Sequence, residues 1–167
     1  IPRNDDFNGA TQEGIGFYEL TQDNGRRCST AHAYLTPAKN RENLTIFKRS
    51  IAEKVMIENG RAIAVRAKID GRAQIIRANK EVILSCGAFQ SPQLLLLSGI
   101  GPKSKLEEHK IDQVLELPGV GENLTDHLDY SLIYESDSEY CLGRNARSVF
   151  RVAMNQLQYL IFKRGVM

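Results

Sequence analysis

Three β-rich runs joined by two tight-turn pairs constrain the fold of this chain more than any other feature of its sequence. The runs cover residues 54–58, 61–69 and 73–77, and the turn pairs are Asn59-Gly60 and Asp70-Gly71. Because Asn-Gly and Asp-Gly accommodate the positive φ values of two-residue hairpin loops, the segment predicts a three-stranded antiparallel meander. In the middle run, alternating residues predict one packed face and one solvated face. The packed set is Ile63, Val65, Ala67 and Ile69, and the solvated set is Ala62, Ala64, Arg66 and Lys68.

A different kind of strand is predicted after the meander. Residues 81–85 are short, mostly apolar and without alternation, which is typical of a strand buried on both faces. We expect this strand to lie in a sheet beside a short strand at residues 43–47. It leads into a helix from Pro92 to Ser98, with Ser91 as N-cap, Pro92 at the first helical position and Gly99 at the C′ position. The fold class predicted is therefore mixed α/β.

The remaining segments predict shorter elements. They are a hairpin turn at Asn24-Gly25, a helix over 29–35 ended by Pro37, a helix from Pro102 through Lys110, a strand at 113–117, a loop over 117–127, a strand at 130–134 and an amphipathic helix over 148–162.

Charge and cysteine usage exclude several classes of protein. With 22 basic and 20 acidic residues the net charge is +2, which lacks the basic excess of a nucleic-acid-binding protein. No apolar run approaches the ~20 residues of a membrane span, so we expect no transmembrane segment. Cys28, Cys86 and Cys141 are widely spaced and form no Cys-x-x-Cys pair, which disfavours a disulfide framework or a zinc site. We expect a reducing, cytoplasmic location, with peripheral attachment to the inner face of the cell membrane as an alternative.

The strongest chemical feature is the junction between the predicted buried strand and its helix. A strand that ends at Gly87 would let a ligand approach the backbone at the carboxyl end of the strand. The same glycine could instead serve only a sharp strand-to-helix turn. Cys86 could be a thiolate favoured by the helix N-terminus, or a small buried apolar side chain.

The histidines show no metal-binding pattern. His32, His109 and His127 form neither His-x-x-x-His nor His-Glu-x-x-His spacing. His127 follows Asp126, so a carboxylate-oriented imidazole and a structural role in the loop are both open.

Three long blocks of the chain stand in a characteristic order. They are Arg27-Cys28-Ser29-Thr30-Ala31 with Asn43-Leu44-Thr45, then Gly87-Ala88-Phe89-Gln90-Ser91-Pro92-Gln93 running into Ser98-Gly99-Ile100-Gly101, then Leu117-Pro118-Gly119-Val120-Gly121-Glu122-Asn123-Leu124-Thr125-Asp126-His127. These blocks resemble the glucose-methanol-choline (GMC) oxidoreductases, a family that oxidises alcohols with FAD. Asp6-Phe7-Asn8-Gly9 and Gln12-Glu13-Gly14 resemble its bacterial alcohol and choline dehydrogenase branch.

The resemblance implies a central fragment of a two-dinucleotide-fold flavoenzyme. The G-x-G-x-x-G unit that holds the FAD pyrophosphate is absent from the sequence, and so is the C-terminal catalytic histidine with its partner. We therefore assign no catalytic residue. The resemblance divides the chain into a linking segment and part of the substrate domain (1–40), part of the FAD-binding domain with the meander (41–123) and the start of the substrate-binding domain (124–167).

The resemblance also implies cofactor contacts. Members of the family hold the FAD adenine through the backbone N–H and C=O of one residue, and that residue corresponds to Ala52. Cys86, Gly87 and Ala88 would line the adenosine side. No metal site is implied.

The function implied is oxidation of a primary alcohol, choline-like or aliphatic, to an aldehyde by hydride transfer to flavin. The partners implied are FAD and a small-molecule alcohol, with self-association through exposed sheet edges. The isolated chain is expected to be inactive. Two alternatives remain: a non-catalytic module that binds FAD, adenosine or a protein partner, and a different two-dinucleotide-fold flavoprotein such as a reductase.

Overall fold

The structure is a computed structural model that describes residues 1–133 and 146–162. Two compact units make up the chain, Thr45–Ser131 and a second unit of Ile1–Leu44 with Leu132–Met167. In chain order the elements are β1 (Gln22–Asp23), β2 (Arg26–Arg27), a π-helical segment (Ala31–Leu35), α1 (Thr36–Ala38), β3 (Ser50–Glu58), β4 (Arg61–Ile69), β5 (Arg72–Arg77), α2 (Gly87–Leu97), β6 (Ile100–Gly101), α3 (Lys103–Glu108), β7 (Leu115–Glu116) and α4 (Ala146–Phe162). Helices and strands are mixed, as predicted.

The meander is confirmed as a three-stranded antiparallel sheet in the order β3-β4-β5. Both turns have two consecutive residues with positive φ. The values are +50° and +74° at Asn59 and Gly60, and +48° and +82° at Asp70 and Gly71. These are the backbone angles of type I′ hairpin turns, which the two dipeptides favour.

The alternation predicted for β4 holds in part. Ala67 and Ile69 are buried and Arg66 and Lys68 are exposed, as predicted. Ala64 was predicted on the solvated face, but it is only 1% exposed. This expectation was wrong: a single methyl group flanked on both sides by longer cross-strand side chains is readily shielded from solvent. The cross-strand partners of Ala64 are Met56 and Arg77.

The predicted strands at residues 43–47 and 81–85 are wrong for this structure. Both segments are extended or irregular chain without a ladder partner, and Ile83 is 76% exposed. A strand forms only when a neighbouring strand satisfies its backbone N–H and C=O groups. Among the described residues, the two segments pair neither with each other nor with another strand.

Helix α2 begins five residues earlier than predicted, at Gly87, with Cys86 as N-cap. Ser91 is therefore not the N-cap. Its Oγ instead accepts a hydrogen bond of 3.0 Å from the backbone N–H of Cys86, so it stabilises the start of the helix from inside. Pro92 lies within the helix. The predicted end is confirmed, because Gly99 follows the C-cap Ser98 with a φ of +84°.

The chain after α2 continues into a short parallel pair of strands. Strand β6 pairs with β7 in parallel, and α3 connects them, with Pro102 as its N-cap. This confirms the predicted helix after Pro102 and a strand within 113–117. The buried apolar residues of the described chain all lie in the Thr45–Ser131 unit: Val55, Ala64, Ala67, Ile69, Leu94, Leu106 and Val120.

The other unit contains the remaining predicted elements. The hairpin at Asn24-Gly25 is confirmed, with β1 and β2 on either side of it. The helix predicted over 29–35 is a π-helical segment, Ala31–Leu35, that leads directly into α1. The expectation that Pro37 ends the helix was wrong, because Pro37 stands in the first turn of α1, where proline is tolerated. The long amphipathic helix is confirmed as α4. Residues 130–133 are not a strand, and Tyr134 lies outside the described residues.

Within residues 1–133 and 146–162, we find no helix long and apolar enough to span a bilayer.

Candidate functional site

A cavity of about 490 Å³ lies where the edge strand β3 faces helix α2. It brings together Ala52 and Cys86, two of the four residues predicted to contact a cofactor. Its walls are Ser50, Ile51, Ala52, Cys86, Gln90, Gln93, Leu94 and Leu97. Ala88 lines a different cavity, and Gly87 is not part of either wall. Ala52 and Cys86 stand far apart in sequence, so their proximity results from packing of α2 against the sheet.

The backbone of Ala52 points its hydrogen-bonding groups out of the sheet. The Asp70 N–H donates to the Arg49 carbonyl at 3.2 Å, which makes Ser50 and Ile69 a non-hydrogen-bonded pair. By the alternation of an antiparallel ladder, Ala52 is again in a non-hydrogen-bonded position. Because β3 is an edge strand, the N–H and C=O of Ala52 are directed away from β4. A ligand in the cavity could therefore meet one donor and one acceptor on the same residue.

A β-bulge follows Ala52 directly. The register shifts between Ala52 and Lys54, so Glu53 is an extra residue in β3. The Arg66 guanidinium lies 3.3 Å from the Glu53 carboxylate. The bulge interrupts the regular pairing of β3 beside the cavity. After the bulge, the next backbone N–H that points away from β4 is that of Val55.

Cys86 lies at the opposite wall, at the start of α2. It is exposed, so the alternative of a small buried apolar side chain is wrong. The reason is that residues 81–85 do not form a buried strand, and the residue after them is correspondingly open. Its backbone N–H is already used by Ser91 Oγ.

Two roles were considered for Gly87, a sharp turn into the helix and a place where a ligand could approach the backbone. Its φ is +87°, a conformation that residues with a Cβ rarely adopt, so the entry into α2 requires glycine. A Cβ at this position would meet no heavy atom within 4 Å. The turn therefore needs Gly87, and the backbone there is also open to approach.

The chemistry of the cavity wall is neutral. Polar groups come from Ser50, Gln90 and Gln93, and the apolar surface comes from Ile51, Leu94 and Leu97. None of these residues carries a charge at neutral pH. Such a wall suits a flat, uncharged group that both donates and accepts hydrogen bonds, and it offers nothing to neutralise a phosphate.

A second cavity of about 600 Å³ lies between α2 and the loop that follows β7. Ala88, Pro92 and Leu96 form one side, and residues 119–125 form the other. Lys105 of α3 forms an ion pair with Glu122 of the loop, so the loop is linked to α3. The amino-acid sequence predicts the loop but not that it faces α2. Its Pro-Gly-Val-Gly sequence shows a turn but does not show what the turn packs against.

The histidines lie apart from both cavities. The His32 Nε2 lies 4.0 Å from the Asp23 carboxylate, and His109 is the C-cap of α3. The Asp126 carboxylate accepts a hydrogen bond of 2.8 Å from the backbone N–H of His127, which favours the structural interpretation of that pair. Among the residues that the structure describes, no group of three or more His, Cys, Asp and Glu side chains could hold a metal ion.

Comparison with known proteins agrees with this architecture. The GMC oxidoreductase family matches residues 1–129. The chain is 44% identical over 162 residues to the oxygen-dependent choline dehydrogenase of Sinorhizobium medicae, covering 97% of this chain and 29% of that protein. It is 50% identical over 133 residues to the oxygen-dependent choline dehydrogenase of Photobacterium profundum, covering 80% of this chain and 23% of that protein. The chain thus spans less than a third of the length of these curated relatives.

Solved structures show the same fold. An FAD-dependent oxidoreductase from Chaetomium thermophilum superimposes with a TM-score of 0.69 at 27% identity, over 86% of this chain and 25% of that chain. A formate oxidase superimposes with a TM-score of 0.64 at 27% identity, over 87% of this chain and 25% of that chain. The predicted family is confirmed: this chain belongs to the GMC oxidoreductases.

Proposed function

We propose that this chain is part of an FAD-dependent enzyme that oxidises a primary alcohol of the choline or aliphatic type to an aldehyde. The family match and the oxygen-dependent choline dehydrogenases among its relatives support this assignment. FAD, when bound, would supply the hydride acceptor. The described residues of this chain would contribute to cofactor binding and to the frame that holds the cofactor.

The observation that carries the proposal is the cavity shared by Ala52 and Cys86. Adenine is flat and uncharged, and it offers an amino donor beside a ring-nitrogen acceptor. The outward N–H and C=O of Ala52 match that pair, and Ile51 and Leu94 provide apolar surface for the ring. Cys86, Gly87 and Ala88 would then lie along the adenosine, where the open backbone at Gly87 leaves room for it.

The domain assignment follows from the same proposal. The Thr45–Ser131 unit contains the meander and both cavities. We assign residues 41–123 to the FAD-binding domain, and residues 1–40 and 124–167 to the linking segment and substrate domain. The cytoplasmic location stays a prediction, and no observation on the described residues supports attachment to a membrane.

The adenine assignment is tested with a cofactor analogue. In flavin hypoxanthine dinucleotide, a carbonyl replaces the adenine amino group and the neighbouring ring nitrogen carries a proton, which reverses the donor and acceptor. If Ala52 holds adenine, the enzyme that carries this chain should bind the analogue at least about tenfold more weakly than FAD, because two hydrogen bonds are mismatched. Fluorescence titration of the apoenzyme measures both affinities. Equal affinities would contradict the assignment.

The isolated 167-residue chain is expected to bind FAD weakly and to oxidise no alcohol. Its adenine contacts amount to a few hydrogen bonds worth a net ~0.5–1.5 kcal/mol each, while association costs at least ~4 kcal/mol. Its dissociation constant for FAD should therefore be no better than about millimolar. Flavin absorbance of the purified chain and calorimetric titration with FAD check this. A yellow protein, or a micromolar constant, would show a complete flavin site within this chain.

The alternative of a non-catalytic module predicts a different result for the longer protein. Strand β5 is exposed along its whole length, and its outer edge is unpaired among the described residues. Such an edge could bind another chain or a second copy. A full-length protein that binds FAD but shows no dye-linked oxidation of choline or short primary alcohols would favour the module.

A further inference from the structure

A buried hydroxyl joins the two walls of the cavity that holds Ala52 and Cys86. Ser98 is 0% exposed and lies directly after α2. Its Oγ accepts a hydrogen bond of 2.8 Å from the backbone N–H of Val55 in β3. The same hydroxyl donates to the Leu94 carbonyl in α2 at 2.6 Å. We propose that Ser98 is a positioning residue that fixes helix α2 against edge strand β3 and so sets the width of the adenine cavity, an inference that rests on the proposed function.

The bond reaches the strand at the edge that carries Ala52. The N–H of Val55 points away from β4, as do the backbone groups of Ala52 on the other side of the bulge. Ser98 therefore occupies the place that a neighbouring strand would have at this edge. Val55 and Ala52 lie close together on the same strand, so a shift of the strand at Val55 moves Ala52 with it.

The bond reaches the helix at a residue of the cavity wall. Leu94 supplies its carbonyl to Ser98 and its side chain to the cavity, and Leu97, the residue before Ser98, lines the same cavity. One hydroxyl thus connects the strand that would present the hydrogen-bonding groups to the helix that would present the apolar surface.

Ser98 is itself held on its other side. Gly99 has a φ of +84°, and a Cβ there would clash with the Asp112 carbonyl oxygen. The Gly99 carbonyl accepts a hydrogen bond of 2.8 Å from the Val114 N–H. Gly99 is therefore held against residues 112–114, which directly precede β7. This contact fixes the end of α2 and with it the position of Ser98.

A methyl group in place of the hydroxyl could satisfy neither of its two partners. One proton satisfies the Leu94 carbonyl, and one lone pair satisfies the Val55 N–H. Removing the oxygen leaves the Val55 N–H buried without an acceptor, which favours separation of helix and strand. Burial alone would predict a loss of stability. The positioning role predicts in addition a loss of discrimination at the adenine.

The experiment compares FAD with flavin hypoxanthine dinucleotide in the enzyme that carries this chain. Wild type, Ser98→Ala and Ser98→Cys are titrated, with Leu106→Ala as the matched control. Cysteine keeps the size of the side chain but is a weak acceptor. Leu106 is buried in α3 and lines neither cavity, so its truncation lowers stability without touching the helix–strand bond. Hydrogen exchange of the Val55 amide in the wild-type protein is a second measurement, and it tests the bond to Ser98 without any variant.

Both Ser98 variants should bind FAD about tenfold more weakly, the factor expected if the displaced Ala52 loses one of its hydrogen bonds to adenine, and should lose most of the preference for FAD over the analogue. Leu106→Ala should keep that preference. The Val55 amide should exchange slowly although it lies on an edge strand. A folded Ser98 variant with wild-type preference, or a rapidly exchanging Val55 amide, would overturn the inference. If the wild type itself does not distinguish the two dinucleotides, the adenine proposal fails, and exchange at Val55 then decides only whether the bond exists.

Discussion

Strand β4 and the segment over residues 81–85 differ in how they obtain a pairing partner. Every residue of β4 from Ala64 to Ile69 pairs with a residue of β5, and the strand that precedes it pairs on its other side. The segment at 81–85 is equally apolar, yet it has no ladder partner, and Ile83 faces solvent. A hairpin partner lies a few residues away and is aligned by the turn, whereas a strand of a parallel sheet needs partners supplied across a long connection. Apolar composition does not make a sheet without such a partner.

The largest effect that tests this comparison is truncation within β4. Ile69 is 7% exposed, so Ile69→Ala should lower the free energy of unfolding by about 2–5 kcal/mol through lost burial and a residual cavity. Denaturant unfolding followed by circular dichroism measures the change. The matched control is Ile75→Ala in β5, where the side chain is 58% exposed and the loss should be clearly smaller. Equal losses at the two positions would show that the meander has no packed face.

A smaller effect is expected at the turn that aligns β3 with β4. Gly60 has a φ of +74°, and a Cβ there would meet no atom within 4 Å. Gly60→Ala should therefore destabilise only through the backbone conformation, by about 1–2 kcal/mol. Gly119→Ala is the control, because a Cβ there is also in open space but no left-handed φ is required. If the two substitutions have the same effect on the unfolding midpoint, the left-handed conformation of Gly60 imposes no constraint on this turn.

Local signals explain which parts of the fold were predictable. The turns at Asn59-Gly60 and Asp70-Gly71, the C′ glycine at Gly99 and the periodicity of α4 each act within a few residues. The start of α2 was misplaced because the sequence Ser91-Pro92 is a typical N-cap pair, whereas the left-handed φ of Gly87 begins the helix earlier and Ser91 caps it from within. Two valid local signals competed, and only the conformation at Gly87 decides between them.

The candidate site was predictable to a lesser degree. Ala52 and Cys86 followed from the family resemblance, and the shared cavity agrees with placing them together, although their contact with FAD stays a prediction. Gln90, Leu97 and the anchor at Ser98 were missed. Their roles depend on which face of α2 meets β3, and the run of leucines at 94–97 shows no single apolar face from which that contact could be read.

The smallest effect is expected at Ile83, and it sharpens the comparison most directly. With its side chain facing solvent, Ile83→Ser should change the free energy of unfolding of this chain by no more than about 0.5 kcal/mol, the usual range for surface substitutions. Val82 and Leu84 on either side are half-buried, so Leu84→Ser provides a neighbouring substitution that should cost more. Both variants are measured by denaturant unfolding beside Ile69→Ala. If Ile83→Ser costs as much as Ile69→Ala, residues 81–85 are packed as a strand after all, and the contrast with β4 disappears.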